Sequence, residues 1–273
     1  MSLLEKIGLP GDGAGQFVVD GVADGFEAFA LASAAAETAS DRPLLFVARD
    51  GQRLPAIMEA LAFVAPDLPV LEFPAWDCLP YDRVSPGADA AARRLDALSA
   101  MAALRKKPHR AIVLTTVNAL LQRVPPAEII EEQGFRAKPG NQVNMNDLIS
   151  RLEKSGFERV PTVRDVGEFA VRGGIIDLYA PGADEALRLD FFGDTLETIR
   201  AFDIATQRTT GSRNEVSLQS MTEVTLSAET ITRFRRNYIE AFGAPSRDDA
   251  LYASISEGRR FAGMEHWLPF YER

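Results

Sequence analysis

One cysteine, Cys78, and two histidines, His109 and His266, are all that the chain has of either residue. A single thiol excludes an internal disulfide framework and fits a reducing, cytoplasmic compartment. Cys78 itself reads as a small buried hydrophobe. The histidines are far apart in sequence. With no Cys-x-x-Cys, His-Glu-x-x-His or Gly-x-Ser-x-Gly sequence, the chain offers no metal-ligand spacing and no nucleophile elbow. No apolar run approaches the roughly 18 residues of a membrane span. The opening MSLLEKIGLPGDG lacks the basic region and apolar core of a secretory signal. Basic charge is also short: 30 Lys and Arg face 39 Asp and Glu, a net charge of −9. That argues against broad nucleic-acid binding, which needs many cations to displace counterions.

What is present is ordinary for a soluble globular protein: 46 % hydrophobic and 25 % charged residues over 273 positions. The length suits roughly two domains of about 100–200 residues each. Residues 17–135 alternate strand-like and helix-like segments. Strands are expected at Phe17–Asp20, Leu44–Ala48, Val70–Phe73 and Ala111–Thr115. Helices are expected at Asp24–Thr38, Gly51–Val64, Asp89–Leu104 and Val117–Arg123, with Asp24 and Asp50 as caps of the first two. Pro74–Pro86 reads as a Pro-rich loop. Strands spaced by such helices favour βαβ units and a parallel sheet. The pattern changes near Phe135. One amphipathic helix, Asn146–Gly156, precedes strands that dominate to about Leu226. Helices return at Ala228–Phe242 and Arg247–Gly258, before an aromatic tail, AGMEHWLPFYER, that reads as core packing.

The stretch Gly167–Asp203 is a run of short strands cut by Gly173-Gly174 and Pro181-Gly182. Strand side chains alternate between faces. Leu187, Leu189 and Phe191 therefore form a core face, and Arg188, Asp190 and Phe192 share the other. A large aromatic among charges has two readings. Either a neighbouring helix or domain covers Phe192, or Phe192 is a protein-binding anchor, with Arg172 on a nearby strand joining its patch. From Glu158 to Arg213 there are seven arginines, no lysine and ten carboxylates, so these arginines make a local patch and not a basic domain.

A phosphate loop would fall at Val18–Leu31. Such a loop needs glycines for close backbone approach, a Lys for the β/γ phosphates and a Ser/Thr for magnesium. The chain offers Gly21 and Gly25, but Glu27 and Ala28 stand where the Lys and Ser/Thr would be. The shape of a cradle is kept without its chemistry, so no nucleotide, metal or other cofactor is expected. Asp177, Asp190 and Asp203 read as turn or solvated strand residues. Arg93-Arg94 reads as a solvated helix face, with phosphate contact as the alternative.

Four blocks carry a family resemblance: EFPAWDCLPYDRVSPGADAAARRLDAL (72–98), TTVNALLQRVPP (115–126), VRGGIIDLYAPGADEALRLDFFGDTLETIRAFDIATQRT (171–209) and MEHWLPFYE (264–272). They resemble, in order, the N-terminal module of bacterial transcription-repair coupling factors, which is similar to the excision-repair protein UvrB. The resemblance implies an α/β fold: a degenerate P-loop, helicase-like parallel-sheet domain interrupted by a β-rich α+β domain. The boundaries expected are 1–134, 135–220 and a return segment, 221–273, truncated relative to the family. UvrB keeps an intact Walker sequence where this chain has Glu27 and Ala28. It also has a long DNA-gripping hairpin where this chain has only the loop at 74–86.

The same resemblance implies docking of the β-rich domain onto UvrA. Arg172 in AVRG, and Arg188 with Phe192 in RLDFF, are the residues carried over. The full-length family protein is an ATP-dependent DNA translocase with RNA polymerase, DNA and its own C-terminal domain as further partners, the last masking the UvrA surface. Those regions lie beyond Arg273, so the chain is either an excised piece or a stand-alone module. The expectation is a non-catalytic adaptor that recruits UvrA, with no membrane partner. The alternatives are a nucleotide-dependent helicase half, which Glu27 and Ala28 oppose, and a direct damaged-DNA binder, which the acidic balance opposes.

Overall fold

The structure, a computed structural model, describes residues 21, 23, 25–37, 42–79 and 82–272. The strand expected at Phe17–Asp20 and the cap expected at Asp24 lie outside them. Contacts divide the chain into two compact units, one of Met1–Ala75 with Ala97–Gln122, the other of Trp76–Asp96 with Arg123–Arg273.

The first unit carries a three-stranded parallel sheet. Its strands are β1 (Leu44–Ala48), β2 (Val70–Phe73) and β3 (Ile112–Thr116), in the order β1-β3-β2. All five residues of β3 are buried, as a central strand of a covered parallel sheet requires. Helix α1 (Glu27–Glu37) contributes Ala28 and Ala35 to the core. Helix α2 (Leu54–Val64) adds Leu54, Ile57 and Leu61, and these pack with Ile112 and Leu114. Helix α2 starts later than expected, at Leu54. Pro55 fits a first turn, where its missing N–H costs nothing. Asp50 is not the cap; it accepts the Gln52 N–H in the preceding turn.

The long helix α3 (Ala88–Lys106) corrects one expectation. Successive helix residues point about 100° apart, so an Arg-Arg pair cannot serve one face. Arg93 is solvated and pairs with Asp89 one turn away. Arg94 is fully buried. Its Nε donates to Glu223 Oε1 at 2.6 Å, its guanidinium lies 5.2 Å from the Trp76 ring, and Trp76 Nε1 donates to the same carboxylate at 2.9 Å. Short helices α4 (Val117–Leu121) and α5 (Ala127–Gln133) follow β3.

The second unit holds a six-stranded sheet built almost as a meander. Its strands are β5 (Glu158–Arg159), β6 (Glu168–Arg172), β7 (Ile175–Leu178), β8 (Ala186–Phe192), β9 (Thr195–Phe202) and β10 (Thr209–Arg213), each beside its sequence neighbour. A separate ladder pairs β4 (Phe135–Ala137) with β11 (Val216–Leu218). Helix α6 (Met145–Lys154), capped by the Asn144 side chain, buries Leu148 and Leu152 against one face of the large sheet. Phe169, Ile176, Leu178, Leu189, Phe191, Leu196 and Ile199 complete that core.

The remaining helices are α7 (Ala228–Phe242), α8 (Ala250–Ser256), a 3-10 turn (Met264–Trp267) and α9 (Leu268–Tyr271). Ser227 and Thr230 form a reciprocal capping box, which fixes the start of α7 at the expected residue. Asp249 caps α8, so that helix begins after the expected Arg247. Phe234, Met264, Leu268 and Tyr271 are buried together, so the aromatic tail packs as core. No helix among the described residues is long and apolar enough to cross a membrane.

Candidate protein-binding face

Two hairpin tips define the site. The β6–β7 hairpin turns at Gly173-Gly174 and the β8–β9 hairpin at Gly193-Asp194. Gly173 and Gly193 both sit at φ +59°, and a two-residue hairpin loop commonly wants glycine there. Gly174 is needed for a different reason. A Cβ on it would lie 2.7 Å from the Phe191 carbonyl oxygen, and Phe191 N–H donates to Gly174 O at 2.7 Å. The tips are therefore held side by side.

Register assigns the faces. Arg172 lies opposite Ile175, which lies opposite Asp190; Asp177 lies opposite Arg188, which lies opposite Arg200. Directly paired residues share a face, so Arg172, Arg188 and Phe192 lie on one face of the sheet, away from α6. Leu187, Leu189 and Phe191 pack in the core on the other, as alternation predicts. Phe192 is 77 % exposed, so none of the described elements of this chain covers it.

The two arginines differ in availability. Arg172 is exposed and pinned by its Nη2, which donates to Pro161 O at 2.8 Å and to Thr162 Oγ1 at 2.7 Å. Arg188 makes two parallel bonds to Asp177, at 2.6 and 2.9 Å, and its guanidinium lies 5.0 Å from the Phe202 ring. The Asp177 hydrogen bond raises the Arg188 pKa. Asp177 is buried at 2 % exposure, so the expectation of a solvated carboxylate fails there. Burial of an acid in the apolar strand Ile175–Leu178 is tolerated because the fork of Arg188 satisfies both oxygens.

Sequence reasoning missed Arg200. Its Nε and Nη2 donate to Asp190 at 2.9 and 2.7 Å, and Thr198 Oγ1 donates to Asp190 at 2.5 Å. A bulge between Asp190 and Phe191 shifts the β8–β9 register and brings Arg200 opposite Arg188. The available signal was Leu196 and Ile199, two core residues three apart, which plain alternation forbids.

At the cradle-like turn, Gly21 and Gly25 sit at φ +66° and +86°. Gly25 N–H donates to Glu27 Oε2 at 2.9 Å, and Arg53 Nη2 donates to Glu27 Oε1 at 2.5 Å. A carboxylate thus accepts one backbone N–H of this turn and a guanidinium of the next segment. Ala28 is buried in the core. Beside it is a cavity of about 470 Å³ whose walls include Glu27, Arg49, Asp50 and Arg53.

Cys78 is half-buried, not fully buried as expected, with Sγ 3.8 Å from His266 Nε2. Burial first, then Asp77, Asp82 and Glu265, push its thiol pKa up, the opposite of an activated nucleophile. Among the described residues no three His, Cys, Asp or Glu converge as a metal site. Asp203 is a turn residue as expected, accepting from Thr206, whose hydrogen bonds hold its pKa down.

Residues 135–223 match the family described as the UvrB interaction domain. Over 84 % of its length the chain is similar to proteins named transcription-repair-coupling factor. It is 40 % identical over 243 residues to that of Myxococcus xanthus, 34 % over 228 residues to that of Rickettsia bellii, and 29 % over 229 residues to that of Escherichia coli. The chain spans 20 % of the length of these relatives. The resemblance carried by the four sequence blocks therefore holds.

Proposed function

We propose that this chain, similar over most of its length to part of the transcription-repair-coupling factors, is a non-catalytic adaptor of transcription-coupled DNA repair that recruits UvrA. The observation that carries the reading is the coincidence of two findings. The UvrB interaction domain match covers the meander, and that meander has Phe192, 77 % exposed, on the same sheet face as Arg172, with β7 between their strands. An exposed aromatic and a pinned, planar cation on one face have the composition of an interface. Arg188 acts in this reading chiefly by holding the face, since its guanidinium is engaged by Asp177. In this reading RNA polymerase and DNA are engaged by other parts of the coupling factors, whose C-terminal domain masks the same face.

The reading is non-catalytic, with a degenerate phosphate loop, because Glu27 stands where the phosphate-binding Lys would be and holds the Gly25 N–H and Arg53. Titration with magnesium-ATP should show no saturable binding at micromolar concentration, and such binding would refute the non-catalytic part.

The partner test is calorimetry of UvrA with the full chain. Wild type should bind. Phe192→Ala and Arg172→Ala should each weaken binding by about 1–3 kcal/mol, as interface anchors do, with unchanged melting temperature. Absence of wild-type binding, or full binding by a folded Phe192→Ala/Arg172→Ala double variant, would reject the assignment.

A further inference from the structure

The sheet face contains two Arg–carboxylate pairs that differ in one respect relevant to recognition. Arg188 and Asp177 have side chains 16 % and 3 % exposed, whereas Arg200 and Asp190 stand at 37 % and 20 %. Drawing Arg188 away would strand a carboxylate in the interior, which is costly. Drawing Arg200 away would not, because Asp190 keeps the Thr198 hydroxyl as a donor and has solvent beside it. The two arginines are also directly opposite each other across β8 and β9. Like charges so placed repel. Their own carboxylates offset this, and an additional anion on this face would offset it further.

We infer that Arg200 is the exchangeable cation of this face: it leaves Asp190 to make a forked bond with an aspartate or glutamate of the docking protein. The inference rests on the UvrA-docking reading and adds to it the chemical class of the contact. Asp190 acts as a positioning residue. It parks the guanidinium in the free chain, shares a row with Ile175 and Arg172 and lies two residues from Phe192. Fork geometry matters, since a lysine ammonium cannot make the two parallel bonds.

The test measures UvrA binding by the full chain for wild type, Arg200→Ala, Arg200→Lys and Asp190→Asn, with a thermal melt of each. Arg200→Ala should bind at least tenfold more weakly, and Arg200→Lys at least fivefold more weakly, with a shallower salt dependence for the alanine variant. Asp190→Asn should bind as tightly as wild type or tighter, because it frees the arginine. The lysine variant keeps the charge on a half-exposed site, so it decides the matter if the alanine variant melts early. Wild-type affinity in a folded Arg200→Lys or Arg200→Ala variant overturns this inference alone. Equal losses of affinity in Asp190→Asn and Arg200→Ala also overturn it, showing the pair to be structural. No binding by wild type overturns the docking reading itself, and this inference with it.

Discussion

Arg94 is the side chain whose removal should cost the second unit most. Its guanidinium is fully buried against Glu223, which is itself 2 % exposed at the side chain, and the Trp76 indole donates to the same carboxylate. Arg94→Ala leaves a buried carboxylate with its main countercharge gone, a change that costs about 3–5 kcal/mol. Glu223→Gln takes the countercharge from the buried guanidinium but keeps an acceptor for Trp76 Nε1. Replacing both, as Arg94→Met with Glu223→Gln, removes both charges. It should cost less than either single change, because buried pairs are often matched by uncharged residues of similar volume. Against a total stability of about 5–15 kcal/mol, either single loss should be plain. Urea unfolding followed by tryptophan fluorescence is the assay, since Trp76 and Trp267 both lie in this unit. Single losses below about 1 kcal/mol, the range of exposed pairs, would refute the reasoning. So would single losses that simply add in the double variant.

Truncating the two neighbouring phenylalanines should separate core from surface. Phe191→Ala should lower stability by about 3–5 kcal/mol, while Phe192→Ala should stay within about 0.5 kcal/mol; the reverse order in a thermal melt would mean the faces of β8 are exchanged. Tyr238, half-buried and donating to Asp249 at 2.5 Å, has its phenol pushed up to about 12 from 10. The raised value means its contribution is complete below pH 10, and is lost between pH 10 and 12 as the unfolded chain ionises first. Tyr238→Phe should flatten that region of the stability–pH curve, and an unaltered curve would count against the assignment.

Much of this was legible in sequence because local signals agreed with the fold. Helical periodicity placed α7 at Ala228–Phe242, and the turns at Gly173-Gly174 and Pro181-Gly182 bracketed the strands before an alternating β8. Arg188 and Phe192 were assignable to one face by alternation, whereas the face of Arg172 needed the pairing of β6, β7 and β8. What sequence could not supply were contacts between segments distant in the chain. Arg94 meets Glu223, 129 positions away, and nothing local distinguishes it from its solvated neighbour Arg93. Asp177 looked like any strand carboxylate until register set it opposite Arg188. Arg200 was hidden by the bulge, which changes the partner of every residue beyond it on β9. Glu27 was recognisable as unsuited to phosphate, but its bonds to Gly25 and Arg53 depend on the path of the turn.

The small ladder between β4 and β11 bears on how this segment travels. Phe135 pairs with Leu218 and Ala137 with Val216, so the chain enters and leaves the meander through two hydrogen-bonded neighbours. A host protein into which such a segment is spliced needs only to separate a pair of adjacent residues in an exposed turn, since entry and exit stay within one strand spacing of about 4.8 Å. Inside the meander each strand pairs with its sequence neighbour. The segment therefore assembles largely from short-range contacts, the kind that form early because little chain must be gathered first. Residues 135–218 behave on this account as a cassette, able to carry the face of Arg172 and Phe192 intact from one scaffold to another.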